Sequence, residues 1–370
     1  MPKFEFTRRH SDGVTVLDCA WSQPASNLGL CANGAGKLYL ALNVTDPFSQ
    51  LPEYGVVELE PDGADPRGWQ VPKPIYLPEL FRREDGSVWI LGAVESGDRE
   101  CEVLLPVESQ EAPAARRRFA ASEETVLSTR GESLVRFIRD SWKKAPARII
   151  TDTLGPKGKR SEWRLPKEPY PSAAWMDRDG LIHVLSWAKP NSRHSIFTAT
   201  GDPIAEHAVA FQDLGGQGGY RPIEMGRDGR DRFVTGHGTA VGIVATSPGA
   251  ETRFIKLMPL PDERFVFSLW PTVPTAGNGW TARFTFGNLT GGSGGNGWLA
   301  VQEDQLIASW IGVGPGVYRD HHGTEHRLDA EQLSLSGLDV LPDGRIACCF
   351  ETQGRKEPGR VHVALVTPNR

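Results

Sequence analysis

The stretch "DRDGLIHVLSWA" (residues 177–188) decides the fold because versions of it recur along the chain. A polar turn that contains glycine leads into a run of aliphatic, β-branched and aromatic residues, a pattern typical of a tight turn followed by a strand. The other copies are "CANGAGKLYLAL", "REDGSVWILGA", "STRGESLVRFI", "GRDGRDRFVTG", "AGNGWTARFTF" and "LPDGRIACCFE". Their marking glycines are Gly34, Gly86, Gly131, Gly180, Gly229, Gly279 and Gly344. Neighbouring marks are about 45 to 65 residues apart, within the range of propeller and solenoid units.

A second hairpin pattern lies between consecutive copies. "SIFTATGDPIAEHAVAF" (residues 195–211) shows it: apolar alternation, a polar turn, and alternation again. Each repeat therefore offers four strands, which we call a, b, c and d in chain order. Tight turns join a to b and c to d, and longer connections join b to c.

The last repeat is incomplete, since the chain ends soon after "RVHVALVTPNR" (residues 360–370). "KFEFTRR" (Lys3–Arg9) has the alternation of the missing fourth strand. A sheet shared by both chain ends removes an open edge, as in propellers. The role of "GVTVLDCAW" (residues 13–21) stays open between an additional strand and strand a of the first repeat, and the register of residues 290–336 is likewise undecided.

These repeats resemble those of β-propellers over the full length. We predict one all-β domain, residues 1–370: a seven-bladed β-propeller of four-stranded blades, closed by the N-terminal strand in the C-terminal blade. The Gly-His and Trp-Asp signature of WD40 repeats is missing, and double-glycine motifs of the kelch type are not repeated. "REDGSVWILG" is similar to the D-G-x-x-W turns of several bacterial propellers, but one copy carries over no catalytic residue.

One segment also fits a helix. In "ESLVRFIRDSWKK" (residues 132–144), Leu134, Ile138 and Trp142 follow each other at i, i+4 and i+8, which suits an amphipathic helix. The repeat spacing favours a strand here.

Bulk composition agrees with a β-rich globular protein. Gly (41) and Pro (28) are frequent and scattered, and Trp (11) outnumbers Met (4). The net charge of −5 makes nucleic acid an unexpected partner. The small basic runs "AARRRFA" and "KGKR" fit solvated blade edges.

The cysteines and the N-terminus indicate a cytoplasmic protein that does not enter a membrane. Five cysteines without metal-type spacing fit free buried thiols in a reducing compartment. Cys348 and Cys349 are adjacent, so on a strand they point to opposite faces. The first residues lack the apolar segment of a signal peptide, and no apolar run is long enough to span a bilayer.

Chemical motifs are scarce. "NGAGKLY" lacks the first glycine and the hydroxyl residue of a phosphate-binding loop, and a turn is the better interpretation. No nucleophile elbow, zinc helix or calcium loop is present, so we predict no cofactor.

The stretch "GVYRDHHGTEHRLDAEQ" (residues 316–332) is rich in histidine and carboxylates. His322 and His326 flank Gly323, as in a polar hairpin, and we predict an extra hairpin over about residues 312–336. A zinc site needs three or four converging ligands, which a local sequence does not establish, so no metal site is predicted.

Blade order predicts a binding face at the end of the ring that carries the b–c and d–a connections, near the channel mouth. The candidates are His321, His322, His326, His237, Trp142, Lys189, Tyr220, Arg221 and Arg355.

Two function classes compete. The missing catalytic constellation favours a non-catalytic platform that binds another polypeptide, a scaffold or adaptor subunit of a cytoplasmic assembly. The alternative is a hydrolase or lyase, or a small-ligand or glycan binder, at the channel mouth, with His237 and His321 or His322 as its key residues.

Overall fold

The chain is described by a computed structural model. The described residues are 4–11, 14–21, 25–44, 53–60, 66–73, 75–96, 99–109, 116–117, 123–128, 133–139, 146–153, 159–167, 169–187, 192–209, 217–288, 294–314, 317–320, 325–327, 333–352 and 361–366.

Antiparallel strands make up almost all of this structure, and hydrogen bonds join them into seven sheets. The first two strands are β1 (Phe4–Ser11) and β2 (Val14–Trp21). Sheet 1 contains β3 (Ala25–Ala32), β4 (Leu38–Val44), β5 (Glu53–Leu59) and β6 (Arg67–Gln70). Sheet 2 contains β7 (Tyr76–Arg82), β8 (Val88–Ser96), β9 (Arg99–Pro106) and β10 (Arg116–Arg117). Sheet 3 contains β11 (Glu123–Ser128), β12 (Ser133–Arg139), β13 (Arg148–Thr153) and β14 (Arg160–Arg164).

The remaining sheets follow the same order along the chain. Sheet 4 contains β15 (Tyr170–Met176), β16 (Ile182–Trp187), β17 (Ser192–Phe197) and β18 (Pro203–Val209). Sheet 5 contains β19 (Gln217–Met225), β20 (Asp231–His237), β21 (Ala240–Thr246) and β22 (Arg253–Pro259), and a 3-10 turn (Pro261–Glu263) follows it. Sheet 6 contains β23 (Phe265–Leu269), β24 (Val273–Pro274), β25 (Trp280–Gly287), β26 (Gly295–Gln302), β27 (Gln305–Gly314), β28 (Val317–Asp320) and β29 (Glu325–Arg327). Sheet 7 joins β1 and β2 to β30 (Leu333–Val340), β31 (Ile346–Thr352) and β32 (Val361–Val366).

Strand a of each sheet (β30 in sheet 7) lies on the side where neighbouring sheets approach each other. β3 packs against β7 and β30, β15 packs against β11 and β19, and β19 packs against β23. We call β3, β7, β11, β15, β19, β23 and β30 the inner strands.

The a–b turns explain why the glycines recur. In six sheets the first turn residue donates its N–H to the carbonyl oxygen of the fifth, at 2.8–3.1 Å. The fourth position has a positive φ of 74–87° at Gly36, Gly86, Gly180, Gly229 and Gly344, and a φ of 59° at Asn278. These values favour glycine or asparagine. The marking residues are therefore Gly36 and Asn278 rather than the predicted Gly34 and Gly279, and Gly131 lies outside the described residues.

Gly34 has a different role from the one predicted. Its N–H donates to the carbonyl oxygen of Gly86 in the next turn at 3.0 Å, and a Cβ on Gly34 would lie 3.3 Å from the Cα of Gly86. Glycine at this position permits two neighbouring turns to touch.

Every pair of a and b strands contains an irregularity that the sequence analysis missed. The register shifts once or twice between the inner strand and its partner in all seven sheets. The bulged residue is Ser172 in sheet 4, Phe267 in sheet 6 and Ser336 in sheet 7. Such bulges bend a strand and redirect one side chain.

Six hydrophobic clusters hold the sheets together, and each lies between two consecutive sheets: 7 and 1, 1 and 2, 3 and 4, 4 and 5, 5 and 6, and 6 and 7. Cys349 belongs to the cluster on one face of sheet 7 and Cys348 to that on the other, as predicted. The three cysteines with described side chains are buried and free, also as predicted.

The propeller architecture of small antiparallel sheets is confirmed, but the predicted seven-bladed closed ring is not. Six blades are supported instead of seven. Within the described residues, no hydrophobic cluster joins sheet 2 to sheet 3, the interface that would close the ring. Sheets 6 and 7 also have more than the predicted four strands.

The predicted strand at the N-terminus was assigned to the wrong segment. β2 pairs with β32, from Val14 opposite Val366 to Cys19 opposite Val361, and β1 pairs only with β2. The open segment, residues 13–21, therefore supplies strand d of sheet 7, and Lys3–Arg9 falls largely in a further strand outside it.

The predicted extra hairpin is present as β28 and β29. It adds to the outer edge of sheet 6 because β28 pairs with β27, far from the inner strand β23. His326 in β29 thus lies at the outer edge, whereas the sequence analysis placed it at the channel mouth.

Two further expectations were tested by the strand assignments. Residues 133–139 form β12, so the strand interpretation is confirmed over the helix, while Trp142 lies outside the described residues. In the described part of the chain no helix has the length and apolar character needed to cross a membrane.

Candidate binding face

The propeller has two unlike ends. We call the end that carries the a–b turns (residues 33–37, 83–87, 177–181, 226–230, 275–279 and 341–345) the turn end, and the opposite end the loop end.

Arg82 and Asp339 tie four sheets together at the turn end. The Arg82 Nη1 lies 3.0 Å from Asp339 Oδ2 and donates to the carbonyl oxygen of Ala32 at 2.7 Å, while Nη2 donates to that of Pro274. Asp339 also accepts the backbone N–H groups of Ala32 at 2.8 Å and Ala276 at 3.3 Å. Sheets 2 and 6 are not neighbours, so the Arg82 side chain links two sheets that are separated by sheets 7 and 1 in the packing order.

This ionic cluster is structural in character. Burial raises the pKa of the Asp339 carboxyl, whereas Arg82 and the backbone donors oppose that shift. Burial also raises the pKa of the nearby Cys31 thiol to about 12, so this cysteine is not a nucleophile at neutral pH.

A buried histidine pair joins sheet 4 to sheet 5, also near the turn end. His183 Nδ1 and His194 Nε2 are 2.8 Å apart, and both side chains are fully buried. His183 Nε2 lies 3.4 Å from Asp177 Oδ2, and His194 Nδ1 lies 3.0 Å from Asp231 Oδ2. Sequence reasoning missed this pair, although each histidine interrupts a short apolar or mixed strand.

His183 is held neutral. Burial lowers the pKa of His183 to about 4, and a charge on His194 would lower it further. A histidine with a shifted pKa is a common mark of an active site. Here it is sealed between two sheets and lies away from the predicted binding face, so it acts as packing.

The loop end carries an exposed row of aromatic side chains. Tyr170 and Trp187 are neighbours on adjacent strands and are 39% and 46% exposed. The Arg139 guanidinium lies 5.5 Å from the Tyr170 ring centroid, and the rings of Trp187 and buried Tyr220 are 5.8 Å apart. We call these four residues the aromatic arc; it crosses sheets 3, 4 and 5.

Most large exposed apolar side chains lie on or next to the inner strands. Seven large hydrophobic residues with described side chains are exposed, and among them only Ile204 lies on an outermost strand. The others are Val126, Tyr170, Trp187, Phe267, Trp270 and Val273.

Three predicted face residues have described side chains, and all are in sheet 5. Tyr220 and Arg221 lie near the start of β19, and His237 ends β20. Arg221 Nε donates to the carbonyl oxygen of Leu269 on the next inner strand at 2.8 Å, and the His237 ring packs 5.0 Å from that of Phe254. The structure thus brings these three to the loop end, while their role in binding stays a prediction.

The other predicted residues do not join them in the described structure. His321, His322, Trp142, Lys189 and Arg355 lie outside the described residues. Among side chains that are described, no three histidine, cysteine or carboxylate groups are arranged to hold a metal ion.

Sequence reasoning missed Arg139, Tyr170 and Trp187. Each is a terminal residue of its strand, at the terminus nearer the loop end. Only a correct strand register could have identified these three residues from the sequence.

Comparison with known proteins names no relative. No family model matches the chain. No curated protein matches it either.

Several solved structures have a similar backbone path. They include TolB from Acinetobacter baumannii, with 11% identity and a TM-score of 0.38 over 65% of this chain and 59% of that one. Prolyl oligopeptidase B from Galerina marginata has 6% identity and a TM-score of 0.42, covering 79% and 45%. Hydrazine synthase from Kuenenia stuttgartiensis has 13% identity and a TM-score of 0.45, covering 94% and 97%.

The chain spans less than two thirds of the first two of these structures. With TM-scores below 0.5, such likenesses carry no argument about what this chain binds or does.

Proposed function

We propose that this protein is a β-propeller platform that binds another polypeptide at its loop end. The aromatic arc is the observation that carries the proposal. Tyrosine, tryptophan and arginine are the residues that most often dominate protein interfaces, because they bury a large area and still offer a polar group. Half-exposed Trp187 rests on buried Tyr220, so its ring is already positioned and less side-chain entropy is lost on binding.

A photocrosslinking experiment tests this proposal. A benzoylphenylalanine introduced at Trp187, and separately at Tyr170, should capture one defined polypeptide in the native host, identified by mass spectrometry. The matched control is the same residue at Ile204, which is 52% exposed on the outer strand β18. Capture at the arc positions but not at Ile204 supports the proposal, and equal or no capture at all three positions overturns it.

The enzyme alternative has one observation in its favour. Arg221 and His237 both lie at the loop end of sheet 5, where a recess beside them would offer polar groups to a small ligand. Enclosed recesses with a few polar groups are typical of small-ligand sites. A hydrolase or lyase activity on a substrate panel that disappears in His237→Ala, with the fold retained, would favour this second function.

We also propose that the sheets close into one ring. The reach of Arg82 from sheet 2 to sheet 6 supports curvature around a common axis. Small-angle scattering should then give a radius of gyration near 21 Å, the compact value for a chain of this length. A clearly larger radius would indicate an open arc.

A further inference from the structure

Sheet 6 contains an arginine held between two tryptophans. The Arg283 guanidinium carbon lies 4.7 Å from the ring centroid of Trp270 and 5.5 Å from that of Trp298. Arg283 on β25 and Trp298 on β26 are direct cross-strand partners, and the N–H of Trp270 donates to the Arg283 carbonyl oxygen at 3.0 Å. Backbone pairing therefore fixes all three side chains relative to one another.

Two buried donors at this position lack acceptors. Among the side chains that the structure describes, neither Arg283 Nε nor Trp298 Nε1 has a hydrogen-bond partner, and no carboxylate pairs with Arg283. Arg82, Arg160 and Arg227 each have such a carboxylate. Burial also lowers the pKa of Arg283, and no neighbouring charge offsets this shift.

Arg283 is half-buried and has exposed neighbours. Thr285 and Asn296 are cross-strand partners two residues beyond Arg283 and Trp298, so strand alternation places them on the same face of sheet 6. Asn296 is exposed and Trp270 is 38% exposed. Trp298 packs against the cluster between sheets 6 and 7, so Arg283 and Trp298 lie near the interface of these two sheets.

We propose that Arg283 and Trp298 form a binding site for a carboxylate. A guanidinium offers parallel N–H donors that match the two oxygens of a carboxylate, and the indole Nε1–H supplies another donor beside them. The two indole rings limit the access of water, which strengthens such a contact. The site is distinct from the aromatic arc, and it does not depend on the platform function.

The carboxylate has two possible sources, a small organic acid or an acidic side chain of a polypeptide. Indole ¹H–¹⁵N spectra of the labelled protein distinguish them, with the Trp298 signal assigned by its loss in Trp298→Phe. The probes are sodium acetate and a short polyglutamate peptide, with sodium chloride and inorganic phosphate at equal ionic strength as comparisons.

The proposal predicts that a carboxylate probe shifts the Trp298 signal saturably. In Arg283→Gln the affinity for that probe should be at least tenfold lower, or binding should be absent. The matched control Arg253→Gln, which changes an exposed arginine, should bind like the unchanged protein. A response to both probes indicates a small acid, and a response to polyglutamate alone indicates a polypeptide. Arg283→Lys keeps the charge but loses the paired donors, so it should bind acetate more weakly and serves as a second variant if Arg283→Gln does not fold.

Three outcomes overturn the proposal. These are no saturable shift with either carboxylate probe, an equal shift in Arg283→Gln, and a shift caused by phosphate or chloride but not by acetate or polyglutamate.

Discussion

The two ends of the propeller are built from different interactions. At the turn end, short turns of one type touch each other, and Arg82, Asp339, His183 and His194 are buried in contacts between sheets. At the loop end, Tyr170 and Trp187 present large aromatic surfaces to solvent. Polar groups that pair with each other inside the protein stabilise it, whereas exposed aromatic groups can contact a partner. The turn end therefore contributes to stability, and the loop end is where we propose that a partner binds.

The largest expected loss of stability comes from a substitution at the turn end. Asp339→Ala leaves the Arg82 charge and the N–H groups of Ala32 and Ala276 without their acceptor. Loss of one partner of a buried ion pair costs about 3–5 kcal/mol in the free energy of unfolding. Guanidinium denaturation measures this loss.

The control for this variant is Asp343→Ala, four residues further on, which removes a carboxylate that pairs with Arg345 at the surface. Exposed pairs contribute less than about 1 kcal/mol. Similar losses in the two variants would contradict the structural role of Asp339.

Acidification should destabilise the turn end through His183. Burial holds its pKa at about 4, below the ordinary 6.5, so the unfolded chain takes up a proton first as the pH falls. The stability contribution is complete above about pH 7 and is lost between pH 7 and 4, by about 3 kcal/mol at most. Denaturant titrations at each pH measure it.

His183→Gln should remove this part of the pH dependence, whereas His237→Gln at the loop end should keep it. If the unchanged protein and His183→Gln lose stability in parallel as the pH falls, the neutral state of buried His183 is wrong.

A smaller effect concerns the turns themselves. Gly180 has a φ of 84°, so Gly180→Ala should lower the free energy of unfolding by about 1–2 kcal/mol. Asn278→Gly, at the equivalent position with a φ of 59°, should change it by less than about 0.5 kcal/mol. Equal effects would show that the two turns do not share a conformational requirement.

The smallest stability effect is expected at the loop end. Trp187→Ala and Tyr170→Ala remove side chains that are about half exposed, so each should cost less than about 1 kcal/mol. Phe233→Ala, in the cluster between sheets 4 and 5, should cost about 3–5 kcal/mol in the same thermal or denaturant assay. A large loss of stability in Trp187→Ala would show that this residue contributes to the core and not to an exposed binding face.

The repeated turn made the architecture predictable from local sequence. Glycine at a position of positive φ is required wherever the same turn is built, so the pattern recurs with little dependence on the rest of the fold. The position within the turn was harder to identify, since Gly34 serves close packing and Asn278 replaces glycine at the marked position. The bulges in all seven inner strands left no recognisable pattern.

The N-terminal assignment failed for a related reason. Residues 3–9 and 13–21 both have strand-like alternation, and only the pairing of Val14 with Val366 decides between them. The histidine-rich hairpin shows the same limit, because nothing local distinguishes a hairpin at the axis from one added to an outer edge.

The sequence by itself determined an all-β propeller of short antiparallel sheets, with buried free thiols and turns that require glycine, because these properties depend on residues close together in the chain. Only the tertiary structure decided which side chains meet. Arg82 and Asp339 are 257 residues apart, and Arg139, Tyr170, Trp187 and Tyr220 come from three sheets. The candidate binding face follows from strand register and the packing of sheets around an axis, which no local pattern encodes.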